Sequence, residues 1–103
     1  MSKDRLLIIE DDADVAEMLV TYFTGQGFSI IHADEGLDGV QQARTQFPNL
    51  ILLDLMLPDM TGFDVCRMLR NNNITKYIPI IFLTQRDDRA DKLEGLEIGA
   101  DDY

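Results

Sequence analysis

One aspartate stands at the end of an apolar run in the stretch LILLDLMLPDMTG, residues 50–62. Four apolar residues lead into Asp54 and three more follow it. An ionised carboxylate in apolar surroundings is costly unless it is paired, bound to a metal ion or close to water. A carboxylate can also act as a nucleophile and form an acyl phosphate. Asp54 is therefore either a tolerated strand end or a group placed there for its chemistry.

Carboxylates and a hydroxyl also follow two other apolar runs. Glu10, Asp11 and Asp12 come directly after residues 6–9, and Thr84 follows a later run. Each has a structural explanation when taken alone, because acids cap helices and threonine is common in strands. Taken together, the acids form the oxygen-rich ligand set that Mg²⁺ prefers, and the threonine hydroxyl can hydrogen-bond a phosphate oxygen. The joint pattern indicates phosphoryl chemistry assisted by a divalent cation.

These side chains can meet only if the elements between them alternate regularly. Apolar or β-rich stretches predict strands at 6–9, 28–33, 50–53 and 79–83, and helical periodicity predicts helices over 13–26, 36–47, 62–70 and 88–98. The alternation predicts an α/β protein with a parallel sheet covered on both faces. The carboxyl ends of parallel strands share one edge, where ligands bind. We therefore expect Glu10, Asp11, Asp54 and Thr84 to converge.

The same patterns predict which helix faces are buried, which residues cap the helices, and which strands are central or at an edge of the sheet. The first helix is expected to bury Val15, Met18, Leu19, Tyr22 and Phe23, and the second Leu37, Val40, Ala43 and Phe47. Asp12 and Thr61 are the predicted N-terminal caps of the first and third helices. The run at 50–53 is apolar on both sides and predicts a central strand. The second strand contains Ser29 and His32 and is expected to lie at an edge.

Composition narrows the class of protein. The chain has 103 residues, enough for one domain, and a formal net charge of −10. That charge disfavours direct binding to nucleic acids or to anionic membranes, because phosphate groups are held by Lys and Arg. No apolar run approaches the length of a membrane span. The single cysteine, Cys66, fits a reducing compartment, so a cytoplasmic location is expected.

Four stretches carry a family resemblance: IIEDD at 8–12, LILLDLMLPDMTGFD at 50–64, IPIIFLTQR at 78–86 and GLEIGADDY at 95–103. They resemble the receiver domain of two-component response regulators, over the whole chain. The resemblance implies a flavodoxin-like, doubly wound parallel sheet with strand order 2-1-3-4-5. The lysine that pairs with the phosphoryl group in this family would lie three residues beyond Tyr103. Residues 1–103 are thus expected to be a receiver domain truncated at its C-terminal end, without its last strand and helix.

The resemblance implies roles for individual residues. Asp54 would accept a phosphoryl group from a sensor histidine kinase or a phosphotransfer protein. Asp11, Asp54 and the backbone carbonyl of Met56 would bind Mg²⁺ directly, and Glu10 would act through a water molecule. Pro58 and Gly62 would shape the loop that follows Asp54.

The resemblance also implies a conformational switch. Thr84 would bind the phosphoryl group, and Tyr103 would swing inward when Thr84 moves. The face formed by residues 84–103 would then change, and an output domain or partner protein would read it. The output would include transcription regulation, and the predicted helix over 88–98 resembles a subclass that forms homodimers. Gln85 replaces the small residue usual in the family, so it is expected to alter phosphorylation and dephosphorylation rates.

Two other functions remain open from the sequence. One is a receiver-like binding module that is not controlled by phosphorylation, which the intact set of Glu10, Asp11, Asp54 and Thr84 disfavours. The other is a Mg²⁺-dependent phosphatase with an aspartate nucleophile. Such enzymes carry a second aspartate two residues after the first, and here that position is Met56. The favoured interpretation is a phosphoacceptor that catalyses at most its own phosphorylation and dephosphorylation, not an enzyme.

Overall fold

Strands and helices alternate along residues 3–83, the part of the chain that the computed structural model describes. The elements are β1 (Arg5–Ile9), α1 (Ala13–Gly25), β2 (Ser29–Ala33), α2 (Gly36–Gln46), β3 (Leu50–Asp54), α3 (Gly62–Arg70) and β4 (Ile80–Leu83). The helix predicted over 88–98 lies outside the described residues. No helix within residues 3–83 is both long enough and apolar enough to cross a membrane.

The four strands form one parallel sheet in the order β2-β1-β3-β4. This order confirms the predicted doubly wound α/β arrangement. It also confirms that β2 lies at an edge and that β3 is central, between β1 and β4. Because β1 and β3 are neighbours, the loops that follow them lie side by side at the carboxyl edge of the sheet.

Helices cover both faces of the sheet, which explains why β1 and β3 are apolar on both sides. The face under α2 and α3 is closed, and its fully buried side chains include Leu7, Ile9, Ile51, Leu53, Val40, Ala43, Val65 and Leu69. Among residues 3–83, the face under α1 buries Leu6 and Ile8 fully, with Leu52 at 4% exposure. Partly buried apolar residues of α1, β2 and β4, among others, pack around those three.

Helix α1 packs on the sheet through a face rotated from the predicted one. Ala16 is buried, and Leu19 and Phe23 pack against the sheet. Met18 and Tyr22 are 62% and 59% exposed, so the prediction that they belong to the core is wrong. Each residue turns a helix by about 100°. With the small Ala16 at the contact, positions 18 and 22 turn away from the sheet.

Helix α2 shows the same kind of difference. Val40 and Ala43 are buried as predicted, but Leu37 and Phe47 are 49% and 62% exposed, so these two are wrong as core residues. The reason lies at Gly39, where an added Cβ would collide with the side chain of Ile9. The glycine lets α2 approach β1 closely and thereby fixes which face of the helix is inside. Phe47 follows the last turn in a left-handed conformation, with φ of 51°.

Candidate functional site

The structure brings Glu10, Asp11 and Asp54 together at the carboxyl edge of the sheet. Asp54 is the last residue of β3, and the other two directly follow the neighbouring strand β1. One carboxylate oxygen from each of the three lies within 4.8 Å of the other two. Thr84, Gln85 and Tyr103, which the sequence placed at or near the same site, lie outside the described residues.

The three acids differ in exposure to solvent. Glu10 is buried, with 5% of its surface exposed, Asp54 is half-buried and Asp11 is exposed. They form the polar wall of a cleft of about 730 Å³, whose other lining residues are Asp12, Val15, Met18, Leu19, Leu55, Met56 and Leu83. The cleft gives a small charged molecule access to the acids while burial restricts the water around them.

Burial and the nearby negative charges disfavour the ionised forms of Glu10 and Asp54. Burial raises the pKa of the Glu10 carboxyl to about 7, and the nearby charges of Asp54 and Asp11 act in the same direction. Burial also raises the pKa of Asp54, opposed by a hydrogen bond from the backbone N–H of Leu55. Positive charge is thus what this cluster lacks.

The loop between β1 and α1 is fixed by backbone and side-chain bonds. The Glu10 N–H donates to the carbonyl of Ala33 at 3.0 Å, and the Glu10 side chain accepts from the N–H of Asp12 at 3.0 Å. His32, for which the sequence predicts no role at this site, places its Nε2 2.8 Å from the carbonyl oxygen of Glu10. A carbonyl only accepts, so the imidazole N–H is the donor. This contact depends on the pairing of β1 with β2.

Asp12 is part of the same acidic run but faces the helix. Its Oδ1 accepts from the backbone N–H groups of Asp14 at 2.9 Å and Val15 at 3.2 Å. The predicted N-terminal cap of α1 is therefore confirmed. Two neighbouring acids consequently have different surroundings, since Asp11 joins the cluster and Asp12 satisfies the helix terminus.

The loop after Asp54 is a short closed structure. The Gly62 N–H donates to the carbonyl of Leu55 at 2.7 Å, and a Cβ at Gly62 would collide with the carbonyl oxygen of Asp54. Only glycine fits this close approach. The Thr61 hydroxyl accepts from the Asp64 N–H at 3.1 Å, so the predicted cap of α3 is confirmed. Met56, the predicted carbonyl ligand, lines the cleft.

Asp59 is a functional candidate that sequence reasoning missed. Its two carboxylate oxygens accept from the backbone N–H groups of Leu37 and Gly36 at the start of α2. These two bonds, from Leu37 and Gly36, lower the pKa of the Asp59 carboxyl. The sequence gives no indication of this role, because the two N–H groups that Asp59 binds lie more than twenty positions away along the chain.

Comparisons with known proteins agree with the motifs. The model of the response regulator receiver domain family matches residues 6–103. The DNA-binding response regulator MtrA of Mycolicibacterium paratuberculosis is 45% identical over 101 residues, which are 98% of this chain and 44% of the relative. The chain therefore spans less than half the length of this curated relative.

Solved structures share the whole described fold. The BeF3-activated N-terminal receiver domain of RstA from Klebsiella pneumoniae superimposes with a TM-score of 0.90 at 30% identity, covering 97% of this chain and 83% of that one. The receiver domain of a sensor histidine kinase from Pseudomonas aeruginosa gives 0.91 at 25% identity, covering 99% and 84%. That structure holds a magnesium ion in its active-site cleft. The expected flavodoxin-like fold is confirmed.

Proposed function

The chain belongs to the response regulator receiver domain family of two-component systems, and we propose that it is a phosphorylation-dependent switch whose phosphoacceptor is Asp54. The observation that carries the proposal is the cluster of Glu10, Asp11 and Asp54 at the mouth of a cleft. Strand β3 holds Asp54 rigidly, and the carboxylate emerges where a phosphodonor can reach it. Residues 1–103 are proposed to act as one receiver domain.

The donor set fits Mg²⁺. The cluster offers carboxylate oxygens only, which suit a hard cation, and its raised pKa values reflect charge that a divalent ion would compensate. Asp11, Asp54 and the carbonyl of Met56 would hold the ion, with Glu10 acting through a water molecule. Bound there, Mg²⁺ would supply the positive charge that offsets the phosphoryl oxygens.

The chain's own residues then carry out a phosphoryl transfer. An oxygen of the Asp54 carboxylate attacks the phosphorus of a phosphohistidine on a sensor kinase or phosphotransfer protein. The new O–P bond replaces the P–N bond, and the imidazole nitrogen keeps the electron pair and takes a proton from water. The partly buried walls of the cleft limit competing attack by water on the acyl phosphate. The chain is thus a phosphoacceptor that at most assists its own phosphorylation and dephosphorylation.

Phosphorylation adds about −1.5 to −2 charges and strong acceptor oxygens at Asp54. We propose that the Thr84 hydroxyl binds one of these oxygens, that Tyr103 follows, and that the 84–103 face then signals to an output domain or partner. The DNA-binding relative favours transcription regulation as the output, carried by a part of the protein other than this acidic domain. We propose that the domain acts in the cytoplasm, where it would receive phosphoryl groups from a sensor histidine kinase or a phosphotransfer protein.

Phosphorylation of the full chain tests the proposal. Incubation with Mg²⁺ and a small acyl phosphate should add one phosphoryl group that hydroxylamine and base remove, measured by intact-protein mass spectrometry. Asp54→Asn should abolish the addition, because the amide cannot form an acyl phosphate. Asp64→Asn is the matched control, since Asp64 is an exposed acid on α3 paired with Arg67 and should leave labelling unchanged. Full labelling of the Asp54→Asn protein would overturn the assignment.

A further inference from the structure

The carboxylate of Asp59 links two elements that are distant in sequence. Oδ1 accepts from the Gly36 N–H at 2.7 Å, and Oδ2 accepts from the Leu37 N–H at 2.9 Å. The N-cap residue of α2, Glu35, makes no capping bond with its own side chain. The start of α2 is therefore satisfied by the loop between β3 and α3 instead of by its own cap.

Side-chain packing strengthens the same link. A Cβ at Gly36 would overlap the side chain of Met60, so Met60 lies directly against the backbone of α2. The loop that bears Asp59 is closed on itself, because Leu57 N–H donates to the Met60 carbonyl at 3.2 Å and Met56 pairs with Thr61. A displacement of the loop tip would thus be transmitted to Met56.

Metal binding is sensitive to such displacements. Mg²⁺ demands nearly ideal octahedral geometry, so a ligand that moves between positions must be ordered before it can bind. The loop is anchored near its base where Gly62 donates to Leu55. At its tip, the bonds of Asp59 to α2 fix the arrangement.

We propose that Asp59 is a positioning residue that couples the metal site to the first turn of α2 by fixing the loop that carries Met56. This inference rests on the proposed function, since it takes Met56 and the acidic cluster as the metal site. Coupling between two binding events is reciprocal. If the Asp59 bonds raise Mg²⁺ affinity by some factor, Mg²⁺ strengthens those bonds by the same factor.

Three variants of the full chain separate this role from simple helix capping. Asp59→Ala removes both bonds, and Asp59→Asn keeps one acceptor oxygen. Glu35→Gln removes one negative charge from the same helix end without touching the Asp59 bonds, so it controls for charge. Urea unfolding of each variant establishes the conditions under which it is folded.

Two readouts are then measured on the folded proteins. Calorimetric titration with Mg²⁺ should show affinity reduced about three- to tenfold in Asp59→Ala, partly recovered in Asp59→Asn and unchanged within about twofold in Glu35→Gln. Amide hydrogen exchange by NMR should show that Mg²⁺ slows exchange at Gly36 and Leu37 in the wild-type protein. With a capping role alone, metal would slow exchange at these two amides no more than at core amides far from the metal site, which serve as the reference.

The outcomes distinguish the coupling from the function on which it rests. If Asp59→Ala binds Mg²⁺ as tightly as wild type, and exchange at Gly36 and Leu37 ignores the metal, the coupling is overturned while the proposed function stands. If the wild-type protein shows no saturable Mg²⁺ binding, the metal site itself is refuted and the coupling falls with it. If the loss of Mg²⁺ affinity in Asp59→Ala equals the factor by which Mg²⁺ slows exchange at Gly36 and Leu37, the coupling is supported quantitatively.

Discussion

Five acidic side chains at the carboxyl edge of the sheet form two groups with opposite surroundings. Glu10, Asp11 and Asp54, the clustered acids, face one another across less than 4.8 Å. Asp12 and Asp59, the capping acids, each accept two backbone N–H bonds at the start of a helix. The ionised carboxylate is disfavoured at Glu10 and Asp54 and favoured at Asp59.

The difference follows from where the nearest donors are. Helix termini present unpaired N–H groups and a positive dipole, which favour the ionised carboxylate. At Glu10, burial raises the pKa of the carboxyl to about 7, and the neighbouring acids add to this effect. At Asp59, hydrogen bonds from backbone N–H groups lower the pKa. Clustered acids therefore cost stability in exchange for a site that attracts a cation, and capping acids add stability.

The largest expected effect separates two acids that are adjacent in the sequence. Asp11→Asn should weaken Mg²⁺ binding by at least about tenfold, because it removes a charged ligand. Asp12→Asn should leave the affinity within about twofold, because asparagine caps a helix as well as aspartate does. Calorimetric titration of both variants measures the contrast. A larger loss in Asp12→Asn would mean that the roles of the two acids are exchanged.

The pH dependence of stability should have the sign set by the clustered acids. The pKa of Glu10 rises from 4.5 to about 7 on folding, so between these values the folded protein binds more protons than the unfolded chain. The metal-free protein should then lose stability as pH rises through this window, by at most about 1.4 kcal/mol per pH unit from this group. Urea unfolding at several pH values measures the slope.

Two variants test whether Glu10 causes this dependence of stability on pH. Glu10→Gln should flatten it, because glutamine does not titrate. Asp59→Asn should not change it, because the lowered pKa of Asp59 puts its contribution below pH 3.8, where stability is lost as pH falls. An unchanged slope in Glu10→Gln would contradict the assignment of the raised pKa to the cluster.

Removal of a capping acid should destabilise the fold. Asp12→Ala eliminates both bonds to the first turn of α1 and should lower the free energy of unfolding by about 0.5–2 kcal/mol. Asp12→Asn should recover most of the loss. Denaturant unfolding in the absence of Mg²⁺ gives the values, and equal stability of the alanine variant and wild type would show that the cap contributes nothing.

The smallest effect has the opposite sign. Asp54→Asn relieves repulsion and the cost of burying a charge, so without metal it should raise the free energy of unfolding by roughly 0.5–1 kcal/mol. The same variant should lose phosphorylation, so stability and function would move in opposite directions. Destabilisation by this substitution, in Mg²⁺-free buffer, would place Asp54 with the capping acids.

Local patterns predicted much of the fold. Apolar runs and helical periodicity gave the order of β1 to β4 and α1 to α3 with bounds within a few residues, and the caps Asp12 and Thr61 were correct. Caps are predictable because the donor lies two or three residues from the acceptor. Helix faces were less certain, and the burial predicted for Met18 and Phe47 was wrong because small residues elsewhere set the contact faces.

The sequence alone determined which acids end up at the carboxyl edge. Asp54 and the run Glu10–Asp12 follow apolar strands, and parallel strands end together, so convergence required no knowledge of packing. Only the tertiary structure decided the hydrogen bonds that join elements distant in sequence. The His32 ring donates to the backbone carbonyl of Glu10 because β1 pairs with β2, and the Asp59 carboxylate accepts from the first turn of α2. Such bonds depend on elements packed in space, and no spacing along the chain encodes them.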